Sequence, residues 1–270
     1  MHRFVSRVPA PAFVVVVLVA CSDATGPRDG MARLSVGFTS GIAAPFAAPV
    51  DAPLAQFAGV PSAAPYAGSN GTLDLMEAWV IVSEFELERV ESALDCDSSD
   101  TGNDCEELSI PPALVQLPLD GTVLSHLTVD IPEGQYDELE LEIEDLELDD
   151  EDEDQATVDA LWAEVRGQHA DWPTQASLLL VGTFTPTGGA AVPFRTFVEA
   201  EIEIEIELNP PLDATGIHSF NIVVIPSEWI ERGDGTVVDL SAWDYATTQL
   251  VPEWEFEVEN SFGRIEIDGS

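Results

Sequence analysis

Val198-Glu-Ala-Glu-Ile-Glu-Ile-Glu-Ile-Glu-Leu208 is the stretch on which the fold turns. Its even positions are apolar, and Glu199, Glu201, Glu203, Glu205 and Glu207 fill the odd ones. A strand sends successive side chains to opposite faces, so a period of two puts one row in a core and a row of carboxylates in water. A helix would scatter both sets around its circumference. One wet face belongs to an antiparallel sheet, since parallel sheets are covered on both sides. The sequence therefore predicts an all-β chain, an antiparallel β-sandwich.

Outward from that strand, other segments carry strand signals. Asn209-Pro-Pro211 should end it, and the strand itself should begin near Ala190. Further strands are expected at Met31–Thr39, Leu73–Ser92, Leu108–Leu119, Thr122–Ile131, Tyr136–Leu148, Ser177–Thr185, Ile217–Pro226 and Thr236–Leu240, with Trp254–Ile267 in two pieces. Asp120-Gly121 reads as a hairpin turn, and Pro132-Glu-Gly134 and Asp234-Gly235 as further turns. Between Glu138 and Glu144 glutamates again alternate with Leu139, Leu141 and Ile143. The phase then flips to Leu146 and Leu148, as a bulge near Asp145 would do. One short helix is expected at about residues 157–166: Val158, Leu161, Trp162 and Val165 have helical spacing, Thr157 suits the N-cap, and Gly167 follows the end.

The N-terminus reads as an address. Residues 1–20 combine Arg3 and Arg7 with a short apolar run, the pattern of a secretory leader too short to span a bilayer. Leu18-Val19-Ala20-Cys21 resembles the lipobox of bacterial lipoproteins, which makes Cys21 the lipidated residue and new N-terminus. Several acyl chains are needed for stable anchoring, because one chain holds only marginally. Ser22 after the cysteine points to the outer membrane. Residues 21–30 form a polar tether, and residues 31–270 a single sandwich domain with an Ala/Pro-rich loop at 40–72.

Charge narrows the partners. There are 51 acids and nine arginines, with no lysine. Losing Arg3 and Arg7 leaves seven cations against 51 acids, a net of −44. Such a surface repels nucleic acid, which is excluded as a partner, and attracts cations.

Cys96 and Cys105 are the two thiols left after Cys21, and in an exported chain they read as a disulfide closing a turn-rich loop. The sharper reading is a calcium loop built from Asp97, Asp100, Asn103 and Asp104, although Ser99 and Leu108 fall where ligands belong. The acidic run Asp149–Asp154 reads as a solvated loop, with a divalent-cation site as its other meaning. No catalytic residue is assigned. There is no Gly-x-Ser-x-Gly elbow, no dinucleotide or phosphate glycine loop, and His126, His169 and His218 lack paired metal-ligand spacing. A carboxylate pair can be drawn from 51 acids almost anywhere, so its presence carries no information. Trp79, Trp229 and Trp254 lie in strand patterns where core packing is the default.

Several short motifs occur together: Leu34-Ser-Val-Gly-Phe-Thr39, Val80 with Val82, Leu117-Pro-Leu-Asp-Gly121, and Pro132-Glu-Gly-Gln-Tyr136 followed by Leu139 and Leu141. Gly182-Thr-Phe184, Pro193-Phe194 and Phe220-Asn-Ile-Val-Val-Ile225 continue the series. With them the chain resembles a prokaryotic lipoprotein family catalogued as domain of unknown function 4382. In that family the first strand runs straight into Asp-Ala-Pro; here Asp51-Ala52-Pro53 comes after extra Ala/Pro residues. The resemblance implies an exported β-sandwich and brings no catalytic residue.

Two functional classes follow as expectations. The first is a lipid-anchored, non-enzymatic surface or structural module binding cations, glycans or another envelope protein, without a resident cofactor beyond possible calcium. The second is a secreted hydrolase using a carboxylate pair.

Overall fold

The computed structural model describes residues 30–40, 65–90, 107–146, 155–254 and 262–269, with backbone alone at 107, 125, 126 and 262–269. In chain order the strands are β1 (Met31–Ser40), β2 (Tyr66–Gly68), β3 (Gly71–Val82), β4 (Glu84–Arg89), β5 (Glu107–Ile110) and β6 (Ala113–Gln116). β7 (Val123–Pro132) and β8 (Gly134–Ile143) precede a helix, α1 (Gln155–Gln168). β9 (Leu178–Pro186), β10 (Val192–Val198), β11 (Ile202–Ala214) and β12 (Ile217–Val224) follow, and β13 (Phe262–Gly269) closes the described chain. The all-β expectation holds.

These strands make three sheets, ordered β13-β12-β1-β7, β10-β9-β3-β2 with β6 also on β3, and β11-β8-β4-β5. One hydrophobic core joins all three, from Leu34 and Phe220 through Leu73 and Leu180 to Leu87 and Leu141. A second cluster lies on the other side of the β3-containing sheet. There α1 sets Val158, Leu161, Trp162 and Val165 against Ile81, Leu114, Leu179 and Phe197. Each such burial is worth about 1.5–3 kcal/mol. The two environments explain two sequence textures. Ala78-Trp-Val-Ile-Val82 and Leu178-Leu-Leu180 are continuous apolar runs because both their faces are covered. β8 and β11 alternate because one of their faces is wet.

Several expectations need correcting. First, β1 pairs β12 in parallel, Leu34 beside His218 and Val36 beside Phe220, inside an otherwise antiparallel arrangement. Alternation reports which face is buried and is blind to strand direction. Second, the long strand expected from Ala190 to Leu208 is two strands in two sheets: β10 ends at Val198 and β11 starts at Ile202. Ser177 serves the crossover, its Oγ accepting from the Ala200 N–H at 2.9 Å and donating to the Ala200 carbonyl at 2.7 Å. Leu73–Ser92 and Leu108–Leu119 divide in the same way, at Ser83 and at Pro111-Pro112.

Third, Asn209-Pro-Pro211 does not end β11. The Asn209–Pro210 bond is cis, residues 208–211 stand opposite the single residue Asp137, and pairing resumes at Leu212 with Tyr136. Fourth, Asp120-Gly121 is a turn, with Gly121 at φ 74°, but not a hairpin, since β6 pairs β3 and β7 pairs β1. Likewise the phase flip after Ile143 is the end of β8, from which Leu146 goes to the helix cluster. Fifth, α1 starts before Thr157 and includes Gly167, and two more short helices occur, α2 (Pro226–Ile230) and α3 (Tyr245–Thr248). A 3-10 turn at Leu240–Trp243 replaces the end of the strand expected at Thr236–Leu240. Its N-cap Asp239 accepts from the Ser241 N–H at 3.1 Å, a local bond that competes with strand pairing. The expected loop at 40–72 is shorter at its C-terminal end: Tyr66 is already in β2, half-buried against the core.

The β2–β3 turn is tied to a distant loop by one side chain. The Asn70 amide donates to the Val237 carbonyl at 2.8 Å, and the Val237 N–H donates to Asn70 Oδ1 at 2.9 Å. Asn70→Asp would replace the donor with an oxygen facing a carbonyl. We expect a loss of about 2 kcal/mol, measured by urea unfolding at pH 7. An unchanged midpoint would show that the latch contributes nothing.

Candidate functional site

The candidate site is the wet face of the sheet β11-β8-β4-β5. Along β4, Phe85 and Leu87 point into the core and Glu84, Glu86 and Glu88 away from it. Along β8, Leu139, Leu141 and Ile143 point inward and Glu138, Glu140 and Glu142 outward. On β11, Ile202, Ile204 and Ile206 face the core and Glu203, Glu205 and Glu207 are exposed.

Register then aligns these rows. Glu84, Glu142 and Glu203 form one rung across three strands; Glu86, Glu140 and Glu205 form the next; Glu88, Glu138 and Glu207 form the third. Neighbouring strands stand about 4.8 Å apart and alternate residues about 6.7 Å apart, so nine carboxyl groups occupy a compact grid. β5 continues the face with Ser109, whose hydroxyl donates to Glu86 Oε1. Arg89 is the one arginine on these four strands. It is turned to the end of the sheet, over the Tyr136 ring at 5.4 Å, and donates to the Glu133 carbonyl at 3.2 Å. No cationic side chain stands in register with any of the nine glutamates.

Packing like charges this closely favours the protonated form. Partial burial, the hydrogen bond and charge of Glu86, and the charges of Glu142 and Glu140 raise Glu84 to about 8. Burial, then Glu203, Glu142 and Glu86, raise Glu140 to about 7. Glu142 and Glu88 are raised as well, each by burial first and neighbouring carboxylates second. At neutral pH Glu84 therefore keeps its proton and Glu140 is partly protonated.

One subset is compact enough for a metal. Glu140, Glu142 and Glu203 each offer an oxygen, and these lie within 4.8 Å of one another. Two oxygens on opposite sides of a calcium ion would be about 4.8 Å apart, twice a bond of about 2.4 Å. Hard cations with oxygen ligands are the chemistry this trio suits. Smaller, stricter octahedral ions have less reason to choose three oxygens set this far apart.

The residues singled out in the sequence fall elsewhere. Cys21, Cys96 and Cys105, the calcium-loop candidates Asp97, Asp100, Asn103 and Asp104, and the run Asp149–Asp154 lie outside the described residues. So does the side chain of His126. His169 and His218 are buried and far from one another in sequence and sheet, His169 against Trp79 and Trp172 and His218 bonded to Thr215. Trp229 and Trp254 are buried and Trp79 is half-buried against the helix cluster, as core packing requires. What the sequence missed was the trio itself. Its alternating glutamates were visible, but their adjacency is a matter of register. Among the described residues no helix is long and apolar enough to cross a membrane.

No family model matches this chain, and no curated protein matches it. Among solved structures, MbnP from Methylosinus trichosporium is similar at a TM-score of 0.34 and 13% identity, over 76% of this chain and 82% of that one. A likeness that distant carries no inference about function.

Proposed function

We propose that this chain is an exported, lipid-anchored, non-enzymatic β-sandwich module whose acidic sheet face binds divalent cations, calcium first. The observation that carries the reading is the register of β4, β8 and β11, which gathers nine glutamates into three rungs without an arginine among them. The leader and lipobox ending at Cys21 supply the anchoring half of the proposal. An exposed face on rigid strands suits reversible binding from bulk solution, with a Kd on the order of 0.1–1 mM as in other extracellular calcium modules.

The test is calorimetric titration of the full chain with calcium chloride in 150 mM sodium chloride. Glu140→Gln with Glu203→Gln should weaken binding by about tenfold. An unchanged isotherm would place any calcium away from this face, in the Asp97–Asp104 loop or the Asp149–Asp154 run, and defeat the face. For the anchor, Cys21→Ala should shift the protein from the membrane to the soluble fraction; unaltered membrane fractionation would end that part of the proposal.

A further inference from the structure

The β2–β3 turn carries a reactive pair of residues that the fold both requires and restrains. Asn70-Gly71 is the one Asn-Gly pair in the chain; Asn103, Asn209, Asn221 and Asn260 precede Asp104, Pro210, Ile222 and Ser261. The Cγ of an asparagine is open to attack by the backbone nitrogen of the next residue. Glycine, without a Cβ, leaves that approach clear. Packing fixes both residue types. Asn70 is the latch to Val237, donating through its amide at 2.8 Å and accepting through Oδ1 at 2.9 Å. Gly71 is buried opposite Gly68 of β2 and Pro186 of β9. A Cβ there would lie 2.6 Å from the Thr185 carbonyl oxygen and 2.7 Å from Phe184 Cζ.

The same contacts immobilise both reacting groups. Val237 engages Oδ1 and Nδ2 together, which fixes the plane of the amide and with it Cγ. The Asn70 carbonyl accepts from the Thr187 N–H at 2.9 Å, which fixes the planar peptide unit containing the Gly71 nitrogen. Around them, the Ser69 N–H donates to the Gly235 carbonyl at 2.9 Å, and the Thr187 hydroxyl donates to the Ser69 carbonyl at 3.1 Å. Ring closure between Cγ and the Gly71 nitrogen needs rotation about the torsions of Asn70, so these bonds must break first. Asn70 itself is half-buried on a surface turn, within reach of water.

We propose that Asn70-Gly71 is a deamidation site gated by its own latch, a one-way switch on the attachment of β2. The Gly71 nitrogen bonds to Asn70 Cγ, the Cγ–Nδ2 bond breaks, and ammonia leaves carrying the Gly71 proton. Water then opens the five-membered imide at either carbonyl, which leaves an aspartyl or an isoaspartyl residue at position 70. The product cannot latch again. A carboxylate has no donor for the Val237 carbonyl, and the isoaspartyl form adds a methylene to the backbone where β3 begins. β2, which sets Tyr66 against the core, then loses its tie to the Val237 loop. Opening and closing are fast beside this chemistry, so the rate is the open fraction multiplied by the rate in the unfolded chain.

The test incubates the full chain at pH 8 and 37 °C, folded and in urea, and follows Asn70 by peptide mapping with mass spectrometry. In urea, conversion at Asn70 should outpace that at the other asparagines. In the folded chain it should be slower by about tenfold to a hundredfold, the factor for opening two hydrogen bonds. Gly68→Ala should speed the folded-state conversion by about tenfold, because its Cβ would sit 2.6 Å from the Val237 nitrogen and push the latch apart. Thr187→Val, which removes the hydroxyl bond to Ser69, should speed it less, and it replaces Gly68→Ala if that variant does not fold. The converted chain, separated on anion exchange by its added negative charge, should melt below the unconverted one. Equal rates in the folded and unfolded chains, or no conversion in urea, would overturn the proposal. So would a folded-state rate that neither variant changes.

Discussion

Acidification from pH 8 to pH 5 should raise the melting midpoint of this protein, contrary to the behaviour of proteins held by salt bridges. The cause is the glutamate grid. Glu84 is raised in the folded state from 4.5 to about 8, and Glu140 from 4.5 to about 7. In the unfolded chain these groups separate and return toward 4.5. The folded state therefore binds more protons between about pH 4.5 and 8, and stability falls as pH rises through that window. The stabilising contribution is complete below the unfolded value and lost once pH exceeds the folded one. Below about 3.8, the unfolded aspartate value, the sign reverses: Asp120 and Asp234 are lowered by their bonds to Thr122 and Thr236, and protonating them costs stability. The midpoint should therefore be highest near pH 4.

Salt provides the second axis of the same experiment. Like charges opposite one another across strands are destabilising by some tenths of a kcal/mol per pair, and mobile cations screen them. Raising sodium chloride from 20 mM to 500 mM should lift the midpoint at pH 8, by roughly 2–4 °C per kcal/mol recovered. It should do much less at pH 5, where Glu84 and Glu140 are already protonated. Glu140→Gln should raise the midpoint at pH 8 and flatten its pH dependence. A midpoint that rises from pH 5 to pH 8, or that ignores salt at pH 8, would show that the rungs do not repel.

Gly182→Ala should be the most damaging single-methyl change in the described chain. In β9, Gly182 stands opposite Leu75 of β3 and Phe194 of β10. A methyl added there would lie 2.2 Å from the Asp74 carbonyl oxygen and 2.8 Å from Phe194 Cζ. The first of these is backbone and cannot swing aside, so the β3–β9 ladder must open there. A loss of about 3 kcal/mol follows, a fall in midpoint of roughly 6–12 °C. Thermal melts followed by circular dichroism would decide it, and a fall of under about 2 °C would show that the two strands separate freely there.

Much of this structure was legible beforehand, for reasons visible in particular residues. Glu138–Ile143 and Ile202–Glu207 alternate strictly, and they lie in strands with one wet face. Val158, Leu161, Trp162 and Val165 announce a helix, and they are the residues it buries. The sheet changes were not legible. Val198, Ala200 and Ile202 are all buried, so the period of two runs unbroken through the point where the chain leaves one sheet for another. The bond partners that decide it, Ser177 and the Glu199–Glu253 bridge, are distant in sequence.

The sequence by itself determined the all-β class, the wet and buried face of each strand, the net charge and the absence of recognised catalytic motifs. These depend on local side-chain direction and on composition, which need no knowledge of neighbours. Only the tertiary structure decided the parallel β1–β12 pair, the alignment of Glu140, Glu142 and Glu203 into one trio, and the passage of the chain from one sheet to another between Val198 and Ile202. All three depend on which strands pair and in what register. Register is set by the whole core closing at once, with hydrophobic contacts between residues as distant as Leu34 and Phe220, and no local pattern encodes it.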